Sequence, residues 1–392
     1  MADKQHLETL AIRTQTERSN QREHSTPLYM TSSFVFNDAE QMRAMFADEL
    51  EGNIYSRFVN PSVKEFENKM ALLEGGEDAL ATASGMAAIF NSMAALLNAG
   101  DHVVACRSLF GSTHTVLTKF LPKWNIDHTY VDIKDQSNWE AAIQDNTKML
   151  IIETPTNPTL DLVDIALVSD LCNKYNVLLL VDNCFATPFI QRPIDFGADI
   201  VVHSATKYID GQGRGLGGVI VSTKAIMKDI KAFCRSTGPS MSPFNAWMFS
   251  KSLETLSLRM EKHSSNALEL ADWLIEIEDV VDVYYPLLKT YHSYNLALKQ
   301  MSLGGGIVTF VIKGGVERGR SFLDAIEVSS LTANLGDSRT IVSHPSSTTH
   351  AKLTEEERLE VGIVPGLIRV SVGLEHINDI KKDILRAINN SK

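Results

Sequence analysis

The residues able to do chemistry together fall in three short segments. Val181-Asp182-Asn183 closes an apolar run, which predicts Asp182 at the C-terminal edge of a strand, where open α/β sheets bind ligands. Twenty-five positions later, Val201-Val-His-Ser-Ala-Thr-Lys207 closes a second apolar run with hydroxyls at Ser204 and Thr206 and an amine at Lys207. Upstream, Ala-Thr-Ala-Ser84-Gly85-Met86 is a small-residue turn opening a helix, whose free N–H groups make an anion site. An acid, a lysine and a phosphate cradle are what pyridoxal 5'-phosphate requires. The lysine forms the covalent link, the acid keeps the pyridine nitrogen protonated, and hydroxyls with helix N–H groups take the phosphate. Alone, Asp182 reads as a turn cap and Lys207 as a surface lysine; in this order and on these elements they read as one site.

Competing motifs fail on context. Gly213, Gly215 and Gly218 spell G-x-G-x-x-G, but a β-type run, Val219–Ser222, follows where a dinucleotide fingerprint opens a helix. The stretch is read as a glycine-rich loop that lets backbone approach a ligand. Ser204-Ala-Thr-Lys207 also fits the S-x-x-K pattern of penicillin-recognising serine enzymes, but S-D-N and K-T-G do not occur. The 11 histidines form no H-x-x-x-H or H-E-x-x-H pair, so no metal site is expected, and His344 and His350 are read as structural.

The elements that must position these residues alternate. β-type runs are predicted at His102–Cys106, His128–Asp132, Met149–Thr154, Val177–Asn183, Ile200–Ser204 and Gly218–Ser222. Helical patterns are predicted at Met86–Leu97, Thr113–Leu121, Asn138–Ile143 and Ile165–Tyr175, and the alternation implies an α/β layer fold with a mainly parallel sheet. The uncharged stretch Ala79–Gly100 reads as a buried helix rather than a membrane span, because small and polar residues interrupt it. One long helix is expected over Asn245–Ile277, then strands at Val281–Tyr285, Gly306–Ile312 and Ile368–Val372. The chain divides accordingly into a polar, extended N-terminal arm (1–60), an α/β domain (61–245) and a smaller α+β domain (246–392).

Composition narrows the class. Of 392 residues, 44% are hydrophobic and 22% charged, as in an ordinary globular protein. A net charge of −11 argues against a duplex nucleic-acid binder and against attraction to anionic lipid. Four scattered cysteines and an N-terminus without an apolar core segment predict a cytoplasmic protein with no membrane or nucleic-acid partner.

With these residues in view, the sequence resembles the Cys/Met-metabolism family of pyridoxal-phosphate enzymes. Ser204-Ala-Thr-Lys207-Tyr208 and Val181-Asp182-Asn183 carry the resemblance. So do Tyr55-Ser-Arg57-x-x-Asn60-Pro61, Ser84-Gly85-Met86, Glu153-Thr-Pro-Thr-Asn157-Pro158 and Arg369-Val-Ser-Val-Gly373. The resemblance implies a type I aminotransferase-like fold. It implies that Lys207 carries the cofactor and moves substrate protons, that Asp182 holds the pyridine nitrogen, and that Ser204, Thr206, Gly85 and Met86 bind the phosphate. Tyr55 and Arg57 would reach that phosphate from an adjacent subunit, Tyr55 with a catalytic share, in a homotetramer built as two active-site dimers. Arg369 would take the substrate α-carboxylate, with Asn157 and Asn334 beside the substrate.

Within the family, several positions discriminate. Leu109-Phe110-Gly111 stands where lyases and many synthases have Leu-Tyr-Gly, so Phe110 would stack on the ring without a hydroxyl. Ser112 stands where bacterial methionine γ-lyases place a cysteine. Asp210-Gly-Gln-Gly-Arg214 replaces the usual Gly-Gly-His loop, and Asn334 in Asn334-Leu-Gly-Asp replaces the serine of lyases. These features resemble the branch that exchanges the succinyl ester of homoserine for sulfide. Cystathionine γ-synthesis, sulfhydrylation of the acetyl ester and methionine γ-lysis are the alternatives; a cofactor-binding protein without turnover is disfavoured by Lys207, Asp182 and Arg369 together. A succinyl pocket needs one cation, for which Arg214, Arg107 and Arg57 are candidates.

Overall fold

Sheet edges, where the chemistry was expected, are set by two sheets in a computed structural model that describes residues 5–392. Among the described residues, the larger sheet has seven strands: β1 (Asp78–Thr82), β2 (His102–Cys106), β3 (Asp127–Val131), β4 (Thr147–Glu153), β5 (Leu178–Asp182), β6 (Ile200–Ser204) and β7 (Gly218–Ser222). Their order is β1-β7-β6-β5-β4-β2-β3; β7 is antiparallel to both neighbours and the other pairs are parallel. The run Leu178–Val181 is apolar at every position because both faces are covered. Leu180 packs with Ala88, Ile89 and Met93 of the helix Gly85–Leu96, while Leu179 and Val181 pack with Ile165, Val168 and Cys172 of the helix Ile165–Tyr175.

The smaller sheet has the order β10-β11-β12-β9-β8, from β8 (Val280–Tyr284), β9 (Ile307–Ile312), β10 (Ser330–Leu331), β11 (Ile341–Ser343) and β12 (Leu367–Ser371). It closes a core with the helices Leu256–Leu274 and Ile377–Asn390. No helix of the described residues is long and apolar enough to cross a membrane.

Four expectations are corrected. The uncharged stretch from Ala79 is a strand before it is a helix: β1 pairs with β7, and Ser84 then starts the helix by accepting the N–H of Ala87 at 3.1 Å. The helix expected over Thr113–Leu121 runs as a short α-helix (Gly111–Thr115), a π-turn (Val116–Phe120) and a 3-10 turn (Leu121–Trp124) that begins ahead of Pro122, which cannot donate a backbone bond. The single helix expected over 245–277 breaks at Thr255 into Pro243–Leu253 and Leu256–Leu274. Arg259 takes up the carbonyl freed there, donating to Ser252 O at 2.9 Å and also to Tyr208 O at 2.5 Å. The arm is not wholly extended, since Leu7–Arg13 and Ala39–Phe46 are helical.

Candidate active site

Strands β6, β5, β4 and β2 lie side by side and end together, so their C-terminal residues form one edge. Asp182 ends β5 in register with Glu153, the last residue of β4. Side chains alternate along a strand, so Asp182 shares the face of Leu180, and Glu153 that of Ile151, both covered by the helix Gly85–Leu96. Asp182 is 8% exposed and accepts the N–H of Cys184 at 3.0 Å. Burial raises its pKa, while hydrogen bonds from Cys184 and the charges of His203 and Lys207 pull the other way.

The helix Gly85–Leu96 supplies the cradle. Its N-terminus abuts the end of β6: a Cβ added to Gly85 would lie 2.6 Å from Cβ and 2.9 Å from Cα of Ser204. Only glycine allows this approach, and it brings the free N–H groups of the helix start beside the Ser204 hydroxyl. Thr206 is fixed through its Oγ1, which accepts the N–H of Gly217 at 3.2 Å.

From Lys207 a chain of polar contacts runs into the smaller sheet. Lys207 Nζ donates to Asn334 Oδ1 at 2.6 Å; Arg369 on β12 donates from Nη2 to Asn334 O at 3.1 Å and from Nη1 to Asn157 Oδ1 at 3.0 Å. Gly336, at φ +75°, lets the Asn334 loop lie flush on the lysine segment, where a Cβ would stand 2.6 Å from Tyr208 N. Burial lowers the Lys207 pKa, and the charge of Arg369 lowers it further, against Cys184 and Asp182. Arg369 is 4% exposed, and burial pulls its pKa down to about 10. Its Nε has no hydrogen-bond partner among the described residues.

The structure therefore brings together Lys207, Asp182, Ser204, Thr206, Gly85, Met86, Asn157, Asn334 and Arg369. Phe110 is held at the same edge by its backbone, its N–H donating to Glu153 Oε2 at 2.8 Å, and the residue is 46% exposed. Tyr55 and Arg57 are not brought in from the same chain. Both are exposed; Arg57 donates to the carbonyl of Arg235 and stacks on Phe58 at 4.6 Å. Arg214 is taken by the buried Asp210, at 2.9 Å, whereas Arg107 pairs with Glu360 at 3.2 Å in an exposed contact. The sequence marks Glu153 only as part of the Glu153–Pro158 string and gives no signal for Cys184, whose Sγ accepts the N–H of Ser204 at 2.7 Å. The signal for Glu153 was available: like Asp182, it is an acid ending an otherwise apolar strand.

A buried acid to which no cationic side chain of the described residues is bonded, a desolvated amine and a cradle of helix N–H groups at one sheet edge fit pyridoxal phosphate, and the class they define is that of the pyridoxal-phosphate-dependent α/β enzymes. Residues 8–389 match the model of the Cys/Met metabolism PLP-dependent enzymes, and the chain belongs to that family. An O-succinylhomoserine sulfhydrylase of Pseudomonas aeruginosa is 46% identical over 382 residues, 97% of this chain and 95% of that one. An L-methionine gamma-lyase of Porphyromonas gingivalis is 43% identical over 363 residues, 92% of this chain and 91% of its own. A putative O-acetylhomoserine (thiol)-lyase of Campylobacter jejuni, solved with a pyridoxyl-lysine monophosphate, superposes with TM-score 0.94 at 33% identity, covering 98% of this chain and 100% of that one.

Proposed function

We propose that this enzyme exchanges the succinyl group of O-succinyl-L-homoserine for sulfide, giving L-homocysteine and succinate. Arg369 carries the amino-acid-substrate part of this reading: it is a buried guanidinium with no carboxylate partner among the described residues, one hydrogen-bonded residue away from Lys207. A buried charge left unpaired is costly, and an amino-acid α-carboxylate would complete it.

Lys207 would carry the cofactor, Asp182 would hold its pyridine nitrogen, and Ser204, Thr206 and the N–H groups of Gly85 and Met86 would hold its phosphate. Phe110 would cover the ring, and Tyr55 and Arg57 would come from a second copy of this chain. Pyridoxal phosphate supplies the electron sink for negative charge developing at the substrate α carbon. Bound through Arg369 and Asn157, the substrate presents its α carbon to Lys207. The Lys207 amine, kept below the ordinary lysine pKa by burial and by Arg369, takes the proton from Cα and then moves one at Cβ. Phe110 has no hydroxyl to share this work, which leaves Lys207 and Tyr55. The Cγ–O bond breaks with its electron pair leaving on succinate, and sulfide forms the Cγ–S bond, so no oxidant or reductant is needed.

Asn334, Phe110 and the Asp210–Arg214 loop support the succinyl-ester, sulfide-using branch, as does the name of the Pseudomonas relative. Methionine γ-elimination is the second reading, favoured by the Porphyromonas relative and disfavoured by Ser112. The test is a product assay on holoenzyme given O-succinyl-L-homoserine with sulfide, with cysteine, or with no added nucleophile. Homocysteine from the sulfide tube alone is expected. Cystathionine from the cysteine tube, with little homocysteine from sulfide, would make the enzyme a synthase; 2-oxobutyrate dominating every tube would make it a lyase.

A further inference from the structure

Glu153 ends β4 beside Asp182, is 5% exposed, and has no part in the reading above. Among the described residues its carboxylate makes no ion pair; it is spent on two backbone groups from different loops. Oε2 accepts the N–H of Phe110 at 2.8 Å, and Oε1 accepts the N–H of Asn157 at 3.1 Å. Phe110 lies in the loop after β2, the strand beside β4, whereas Asn157 lies in the loop after β4 itself. One loop carries the exposed aromatic ring, and the other carries the amide bonded to Arg369. A buried acid next to another acid is unfavourable: burial and the charge of Asp182 both raise its pKa. Two charge-assisted bonds from N–H groups offset that cost, and each oxygen is used by a different loop.

We propose that Glu153 is a positioning residue that clamps Phe110 over the cofactor ring and Asn157 against Arg369, holding the ring and the substrate carboxylate in one register. The proposal rests on Phe110 covering the cofactor and does not depend on which acyl ester or nucleophile the enzyme uses.

Glu153→Gln tests it. Glutamine has the same shape but one acceptor and one amino group, so one of the two facing N–H groups loses its partner. The control is Glu67→Gln: Glu67 is also buried, at 8% exposed, and accepts a backbone N–H, that of Ala81 at 2.9 Å, on β1, four places from β4 in the sheet. Visible circular dichroism of the bound cofactor, thermal midpoint, kcat and KM are measured on the holoenzymes. Glu153→Gln is expected to retain cofactor, to change the dichroic band by about half or more, and to lose about tenfold to a hundredfold in kcat. Glu67→Gln is expected to move only the thermal midpoint. A dichroic band and kcat within about twofold of wild type in Glu153→Gln, or equal losses in Glu67→Gln, would overturn the proposal. The dichroism is read without substrate, so an error in the substrate reading leaves that arm of the test intact.

Discussion

Half-buried near Arg369 and bonded to a neutral amide, the Lys207 amine ionises below the 10.5 of an unperturbed lysine. Only the neutral amine attacks an aldehyde, and a lowered pKa lets the neutral fraction reach its ceiling at lower pH. The rate at which apoenzyme takes up pyridoxal phosphate is therefore expected to climb with pH and to reach half its maximum below pH 10.5. Asn334→Asp would set a carboxylate against the amine, raise its pKa and move the plateau to higher pH. Stopped-flow uptake across pH decides this; a wild-type midpoint at or above pH 10.5, or no shift in Asn334→Asp, would contradict this assignment. At this scale the sequence was most legible for residues with a fixed chemical need, Lys207, Asp182 and Arg369. Glu153 was not, because its partners are backbone groups, and a side chain that serves N–H groups leaves no pairing pattern in sequence.

The helix Gly85–Leu96 joins sequence to site at the scale of elements. Ser84 caps it, Gly85 permits its contact with Ser204, and Ala88, Ile89 and Met93 seat it on the sheet. Gly85→Ala places a Cβ 2.6 Å from that of Ser204, so the helix start or the end of β6 must move. The expected result is a Kd for pyridoxal phosphate raised about tenfold or more, with the secondary structure unchanged by far-ultraviolet dichroism; an unaltered Kd would remove this helix from the cradle. The parallel strands β2, β5 and β6 were legible because continuous apolar runs mark strands covered on both faces. By contrast β10 and β11, of 2 and 3 residues, are too short to hold a period; β11 is placed by pairing with β12, and β10 by pairing with β11. The break at Thr255 was hidden because the apolar spacing continues across it, and the carbonyl it frees is satisfied by Arg259, a long-range partner of Tyr208.

Seen whole, the chain leaves one expected contribution outside its own site: Tyr55 and Arg57 are exposed on the arm, with Met30 66% and Val35 99% exposed nearby in sequence. Assembly can be tested by complementation. Lys207→Ala and Arg57→Ala are each expected to be nearly inactive, and unfolding and refolding them together makes hybrid dimers in which one site of the two is intact. With random pairing, about a quarter of wild-type activity should return; no recovery would show that Arg57 serves the site of its own chain or none. A single sequence could not place these residues by packing alone, since a side chain that meets its partner across subunits looks like any exposed residue within one chain.

Lys207 as the cofactor lysine can be tested by direct labelling. Holoenzyme reduced with borohydride and digested should yield one pyridoxyl-modified peptide, the one containing Lys207, and Lys207→Ala should yield none. Modification at another lysine, such as the buried Lys69 on the helix Pro61–Glu74, would contradict it.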